Sequence, residues 1–192
     1  MFTALLDTCV LWPSLQRDFL LSLAAEGMYR PAWSSAILEE LELHEARKLV
    51  QREVDASEAE SRAAHLIDRM RQAFDDAEIQ GWEGLEGTYR LPDPDDEHVV
   101  AAAVVGGAGA IVTHNLKDFP SERLPHHLAL LTPAEFALNT VALDPRRALT
   151  AVREIAQRSG HRGPRLQVDD ILRVLVDRYG LVEAVDLLRS AD

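Results

Sequence analysis

Four acidic side chains stand at positions from which they can converge on one site. Asp7 ends a short apolar run, and Asp118 follows a second one later in the chain. Asp96 opens an almost wholly apolar stretch, and Glu40 lies within a helical pattern. Carboxylate oxygens are the ligands that Mg²⁺ and Mn²⁺ prefer, and such ions can clamp the attacking and leaving oxygens of a phosphodiester. Convergence of the four acids would therefore supply metal-dependent hydrolysis.

Three of these acids also have ordinary structural explanations. Asp7 and Asp118 are acceptable turn residues. Acids in the first turn of a helix, such as Asp96 and its neighbour Asp95, interact with the helix dipole by about 0.3–1 kcal/mol. The pattern 93–96 contains three aspartates, which is more than capping requires, so at least one is expected to face a ligand.

Glu40 is distinguished by helical geometry. At about 100° per residue it lies between Ala36 and Ile37, whereas Glu39 and Glu42 fall on the polar side. A carboxylate on the inward side of a helix needs a partner or a metal ion. The alternative is a boundary glutamate whose carboxylate reaches solvent.

The apolar pattern predicts an α/β fold with a parallel sheet. Strands are expected at 2–6, 29–33 and 110–113. Helices are expected at 14–26, from the N-cap Ser34 through Leu41, as a polar pair over 53–77, and at 99–105 after a helix entry over 91–96 that Asp93 caps. Strands that alternate with helices indicate parallel pairing. Ligands bind at the carboxyl ends of parallel strands, so Asp7 and the segment 113–118 should lie at one edge.

The pattern changes past residue 136. Helices are predicted from Asp144-Pro145 to about Gly160, from Asp169 or Asp170 to Gly180, and over 181–188, with a basic turn at 158–165. We therefore predict two parts, residues 1–136 as the main domain and 137–192 as a helical extension.

Composition indicates the compartment and limits the chemistry. The chain has 192 residues, a net charge of −12 and one cysteine, Cys9. No apolar run approaches the roughly 20 residues of a membrane span, the start lacks a signal peptide, and a lone cysteine fits a reducing compartment. We expect a cytoplasmic protein without membrane association. Zinc-ligand spacing and a Lys-containing phosphate loop are both missing from the sequence.

Four segments resemble the PIN-domain nucleases, which include the VapC toxins of bacterial toxin–antitoxin pairs. They occur in family order, within roughly residues 2–136, at 5–11, 33–41, 91–103 and 111–120. The resemblance implies a three-layer PIN-like fold with a central parallel sheet flanked by helices, to which the C-terminal helices are an appendage.

The resemblance also implies which residues act. Asp7, Glu40, Asp96 and Asp118 match the metal-binding acids, with Asp95 as a poorer substitute for Asp96. Supporting positions are matched by Thr113 and Asn115, whereas Cys9 stands where many relatives carry Asn. The implied activity is an endoribonuclease that uses Mg²⁺ or Mn²⁺. The implied partners are an RNA substrate, a small antitoxin that blocks the cleft, and a second copy in a homodimer.

Two further interpretations concern the extension and the rival classes of protein. The extension's arginines are expected either to bind RNA phosphates or to cap an acidic surface, the alternative being a solvated helix pair; they are Arg146, Arg147, Arg153, Arg158, Arg162 and Arg165. An aspartyl phosphatase would need an acid at Cys9, and a receiver domain would need a paired acid near Asp7. The remaining rival is a non-catalytic PIN fold that binds RNA or protein.

Overall fold

The structure is a computed structural model that describes residues 1–160 and 164–191. It contains one five-stranded sheet in the order β3-β2-β1-β4-β5. The strands are β1 (Thr3–Leu6), β2 (Arg30–Ser34), β3 (Glu78–Ile79), β4 (Ala110–Val112) and β5 (Ala129–Leu131). β1 pairs with β4 and β2 pairs with β3, both in parallel. The predicted parallel α/β sheet is therefore confirmed.

Residues 2–12 and 31–130 form one compact unit, which we call the sheet unit. Its helices are α1 (Thr8–Leu11), α3 (Ser35–Gln51), α4 (Ala56–Ala73) and α5 (Glu97–Val105). α5 packs against β1 and β4, and α3 packs against α1 and α4. Nearly every residue of β1, β4 and the segment 99–103 of α5 is buried, which explains why these segments are almost wholly apolar.

Residues 1, 13–30 and 131–192 form the second compact unit, which we call the helical unit. It holds α2 (Ser14–Ala25), α6 (Pro133–Leu143), α7 (Pro145–Arg158), α8 (Val168–Tyr179) and α9 (Val182–Ser190). α2 packs against α7 and α8, and α6 packs against α9. The predicted division between residues 136 and 137 falls inside α6, and it stays a prediction.

Local capping follows the sequence closely. Ser34 Oγ accepts the N–H of Ile37 at 3.1 Å and so caps α3, as predicted. Asp93 accepts the N–H of Asp95, and Asp144 accepts that of Arg147, as expected for the starts of their helices. Gly180 has a φ of 68°, the left-handed conformation that ends α8 at the predicted break.

The prediction of two helices over 53–77 is wrong. α3 extends to Gln51, the chain reverses through Glu53 at a φ of 65°, and the single helix α4 follows after its cap, Asp55. The chain leaves the helical conformation at Phe74, and the residues that follow lead into β3.

Parts of the C-terminal predictions were also imprecise. α8 begins at Val168 with Gln167 as its cap, one residue before the predicted start. The predicted basic turn includes residues 161–163, which lie outside the described residues. Within the described ranges, no helix has both the length and the apolarity of a membrane span.

Candidate active site

Asp7 is fixed at the carboxyl end of β1. Its backbone N–H donates to the carbonyl of Val112 at 3.1 Å, so the parallel pairing with β4 continues to this residue. Thr113, the residue after β4, donates its hydroxyl hydrogen to Asp7 Oδ2 at 2.6 Å. Asp7 is 5% exposed. Sheet topology thus brings residues 106 positions apart into one hydrogen-bonded pair.

Cys9 is a second donor to the same carboxylate. Its Sγ lies 3.1 Å from Asp7 Oδ2 and accepts the N–H of His114 at 3.3 Å. Burial and the negative charge of Asp7 raise the pKa of Cys9 to about 12. The thiol therefore remains protonated and donates to Asp7 at neutral pH. Asn115 joins the same loop, because its N–H donates to Thr113 Oγ1 at 3.0 Å.

Glu40 projects from the second turn of α3 toward α1 and α5. Its Oε2 accepts the hydroxyl of Thr8 at 2.6 Å, and its Oε1 lies 3.4 Å from Nε2 of His98. Burial opposes ionisation, but the bonds from His98 and Thr8 outweigh it and hold the pKa of Glu40 below its ordinary value. The side chain is 45% exposed, so it is a boundary carboxylate that nevertheless has fixed partners.

His98 was missed by the sequence analysis. It lies in the first turn of α5, it is 5% exposed, and its Nδ1 is 3.3 Å from Ser34 Oγ. Since Ser34 Oγ already accepts the N–H of Ile37, its own hydrogen is available to Nδ1. Nε2 then carries the ring hydrogen and donates it to Glu40. A polar residue inside an apolar run was the available signal.

Asp96 faces the same region from the 3₁₀ turn Pro94–Asp96. Its carboxyl is half-buried, and burial together with the charges of Asp7, Asp93 and Asp118 raises the pKa of Asp96 to about 6. Asp95, by contrast, is exposed. Asp7, Asp93 and Asp118 therefore lie near enough to act on Asp96 by their charge.

One cavity of about 350 Å³ connects most of these groups. That volume is at the lower end of ligand-binding pockets. The cavity is lined by residues from the ends of β1 and β4, from α1 and α3 and from the turn before α5: Asp7, Thr8, Cys9, Trp12, Glu40, His44, Asp96 and Asn115. Asp95 and Asp118 do not occur among the described residues that line it. Asp118 lies in the 3₁₀ turn Leu116–Asp118, near enough to act on Asp96 by its charge.

The carboxylate oxygens of the cavity are of the kind that a hard divalent cation such as Mg²⁺ prefers as ligands. Among the described residues, no three His, Cys, Asp or Glu side chains lie close enough together to form a metal group by themselves. Mg²⁺ commonly takes only one or two carboxylates and completes its octahedron with water and substrate phosphate oxygens. Asp7 and Asp96 would meet that requirement, and the charge of a cation held at the cavity would oppose the repulsion that raises the pKa of Asp96.

Glu97 is a neighbouring acid with a structural task. Its carboxylate is buried and accepts the N–H groups of Tyr89 at 3.0 Å and Leu91 at 2.9 Å. Burial opposes its ionisation, yet these backbone donors hold the pKa of Glu97 below its ordinary value. It thereby ties the loop before residue 93 to the start of α5, which positions Asp96.

Comparison with known proteins gives two matches. Residues 3–117, more than half of the chain, match the family model of the PIN domain. Residues 133–190, which span α6 to α9, match the model of the VapC50 C-terminal domain. No curated protein and no solved structure matches the chain.

Proposed function

Because the chain belongs to the PIN-domain family, we propose that it is a VapC-type endoribonuclease that hydrolyses RNA phosphodiester bonds with a divalent metal ion. The observation that carries the proposal is the gathering of Asp7, Glu40 and Asp96 around one cavity by three separate segments of the sheet unit. A fold has no structural need for such repelling carboxylates. A phosphodiester cleaved with bound cations does need them.

In this proposal Asp7 and Asp96 would hold Mg²⁺ or Mn²⁺, and Glu40 and Asp118 would be further acids at the site. When bound, the ion supplies the positive charge that stabilises charge developing on the phosphodiester oxygens. Thr113 and Cys9 keep Asp7 in one orientation by donating to Oδ2. Asn115 reaches the cavity from the loop that Thr113 organises.

Glu40 has the role of orienting the attacking water. Hydrogen bonds from Thr8 and His98 keep its carboxylate ionised and fixed, so it can accept a hydrogen from a water molecule in the cavity. Roughly half of its side chain remains exposed, which leaves room for that water.

RNA cleavage with and without metal tests this proposal. The purified protein should cleave RNA with Mg²⁺ or Mn²⁺ and lose the activity in EDTA. Asp7→Asn, Glu40→Gln and Asp96→Asn should each lower the rate by roughly 100-fold or more, as removal of a charge-stabilising group does elsewhere. Two exposed neighbours, varied as Glu39→Gln and Asp95→Asn, serve as matched controls and should cleave normally.

The opposite outcomes are equally informative. Full cleavage by Asp7→Asn and Asp96→Asn would refute the site, and loss of activity in Asp95→Asn alone would transfer the ligand role to Asp95. RNA binding by the wild-type protein without cleavage under any divalent metal would favour the alternative, a non-catalytic PIN-fold binding module.

A toxin would have two protein partners, an antitoxin and a second copy of its own chain. A VapC-type protein is expected to act on cellular RNA in the cytoplasm, to be inhibited by a small antitoxin and to form a homodimer. Expression should arrest growth, and co-expression of a small open reading frame adjacent to the gene should restore it. Light scattering at several concentrations should give the mass of two chains; a monomer would remove the dimer from the proposal.

A further inference from the structure

An exposed tryptophan stands at the mouth of the acidic cavity. All three tryptophans lie within the described residues; Trp33 and Trp82 are buried, whereas Trp12 is 43% exposed. Trp12 directly follows α1, five positions after Asp7, and lines the same cavity as Asp7 and Asp96. Its indole therefore presents an aromatic surface to solvent beside the acids, where a ligand could cover it.

Side chains of α3 hold the indole in place. The ring of His44 meets it edge-on, with centroids 6.4 Å apart and planes at 64°. The ammonium of Lys48, which also pairs with Glu45, lies 5.7 Å from the centroid of the indole. These two contacts restrict the indole, which lowers the side-chain entropy that a ligand stacking on it would cost.

The surroundings of Trp12 favour a nucleobase over an apolar peptide. The other described residues that line the cavity carry carboxylate, hydroxyl, thiol, imidazole or amide groups, so a ligand there meets polar groups beside the indole. A nucleotide suits this combination, because its base has a π-face and its phosphate is the group on which the metal would act. Proteins that bind single-stranded RNA stack bases on aromatic side chains in this way.

We propose that Trp12 is a nucleobase-stacking subsite, which holds one base of single-stranded RNA while the adjoining phosphate lies at the acidic cluster. The subsite rests on the proposed ribonuclease function and adds the residue that would bind a base beside the reacting phosphate. Stacking is tolerant of base identity, so Trp12 contributes affinity and register rather than a strict sequence requirement.

Two substitutions at Trp12 separate stacking from mere apolar bulk. Trp12→Phe keeps an aromatic face, whereas Trp12→Leu keeps apolar bulk without one. The control is Leu43→Ala. It removes an exposed apolar side chain of α3 that does not line the cavity. Fluorescence polarisation measures binding of a labelled single-stranded RNA 10-mer in EDTA and in Ca²⁺, and steady-state cleavage in Mn²⁺ gives kcat and KM. Thermal unfolding of each variant confirms that it is folded.

The expected results follow from the strength of base stacking. Trp12→Leu should weaken RNA binding and raise KM by about 5- to 100-fold with kcat nearly unchanged, Trp12→Phe should cost less than about 5-fold, and Leu43→Ala should match the wild type. An abasic sugar-phosphate 10-mer should bind the wild type and Trp12→Leu equally. Wild-type tryptophan emission should be quenched by the RNA and not by the abasic oligomer.

The failure of this subsite can be told apart from the failure of the proposed function. If the wild type cleaves RNA and Trp12→Leu binds it equally well, or if the Phe and Leu variants are equally impaired, the stacking subsite is wrong and the nuclease stands. If the wild type neither binds nor cleaves RNA, the proposed function fails first. Loss of binding to a co-expressed protein with RNA binding intact would assign Trp12 to a protein partner and overturn the proposal.

Discussion

The Nε2 atom of His98 lies 3.4 Å from Oε1 of Glu40 and connects the first turn of α5 to the carboxylate of α3. The ring's other nitrogen is bound to Ser34, the residue that caps α3. Helix capping and orientation of a site carboxylate therefore share one chain of polar contacts that passes through the buried ring of His98. This arrangement makes His98 a positioning residue for Glu40.

Substitutions of His98 should separate the roles of its two ring nitrogens, Nδ1 and Nε2. The amide of Gln reaches the position of Nε2 and can still donate to Glu40, whereas that of Asn reaches only the position of Nδ1. Supporting partners of site residues are typically worth about 10- to 100-fold in activity or metal affinity. We expect a loss in that range for His98→Asn and a smaller loss for His98→Gln.

Calorimetric titration with Mn²⁺ and RNA cleavage rates are the two measurements for His98. Equal losses in both variants, accompanied by equal losses of thermal stability, would reduce His98 to a packing residue of the core.

Two substitutions of Thr113 form a second matched pair of variants. Thr113→Val keeps the shape but removes the donor to Asp7 Oδ2 and the acceptor for the N–H of Asn115, while Thr113→Ser keeps both. An unsatisfied buried polar group costs about 1–3 kcal/mol, so the valine variant should unfold at lower urea concentration. Its cleavage rate should fall as well, because Asp7 loses one of its two side-chain donors.

The serine variant of Thr113 should remain close to the wild type in both urea unfolding and cleavage. A valine variant that retained full stability and activity would contradict the assignment of Thr113 to the support of Asp7.

The Cys9 thiol should react slowly with alkylating agents. The thiolate is the reactive species, and a pKa of about 12 leaves very little of it at pH 8. We expect iodoacetamide to modify the native protein at least about 100-fold more slowly than the same protein in urea, where the thiol regains an ordinary pKa. Mass spectrometry follows the reaction, and rapid native labelling would mean that the thiol does not donate to Asp7.

Several features of the fold followed from the sequence because they depend on local physics. Strand-end position and parallel pairing placed Asp7 beside the segment after β4, and helical geometry distinguished Glu40 from Glu39. Ser34 capped its helix as expected. The family resemblance supplied Asp96 and Asp118, and the structure brings Asp96, rather than Asp118, to the cavity.

Other features needed the tertiary structure. β3 and β5 have two and three residues, too few to express an alternating pattern. His98 reads from sequence as a polar residue in a buried helix, and only the approach of α3 to α5 gives it Ser34 and Glu40 as partners. Cys9 stands where many relatives carry Asn. It supports Asp7 because burial raises the pKa of its thiol, which keeps the thiol protonated and able to donate.

The pH dependence of stability should report on Asp96. Its pKa in the folded protein is raised to about 6 from 3.8, so the native state binds the proton more tightly than the unfolded chain does. The resulting stabilisation is fully present below about pH 4 and is lost as the pH rises through about 6. In the metal-free protein at pH 7.5, Asp96→Asn should therefore be stabilising, by about 1 kcal/mol after solvent screening, which corresponds to about 2–4 °C in Tm.

The gain in Tm should vanish near pH 4, where Asp96 is itself neutral, and Asp95→Asn, the exposed neighbour, should leave Tm unchanged at both pH values. Added Mn²⁺ should raise the Tm of the wild type at pH 7.5 and have much less effect on Asp96→Asn. Thermal unfolding in EDTA and in Mn²⁺ across this pH range measures these effects. An Asp96→Asn variant destabilised equally at pH 4 and pH 7.5 would contradict a cluster of repelling carboxylates around Asp96.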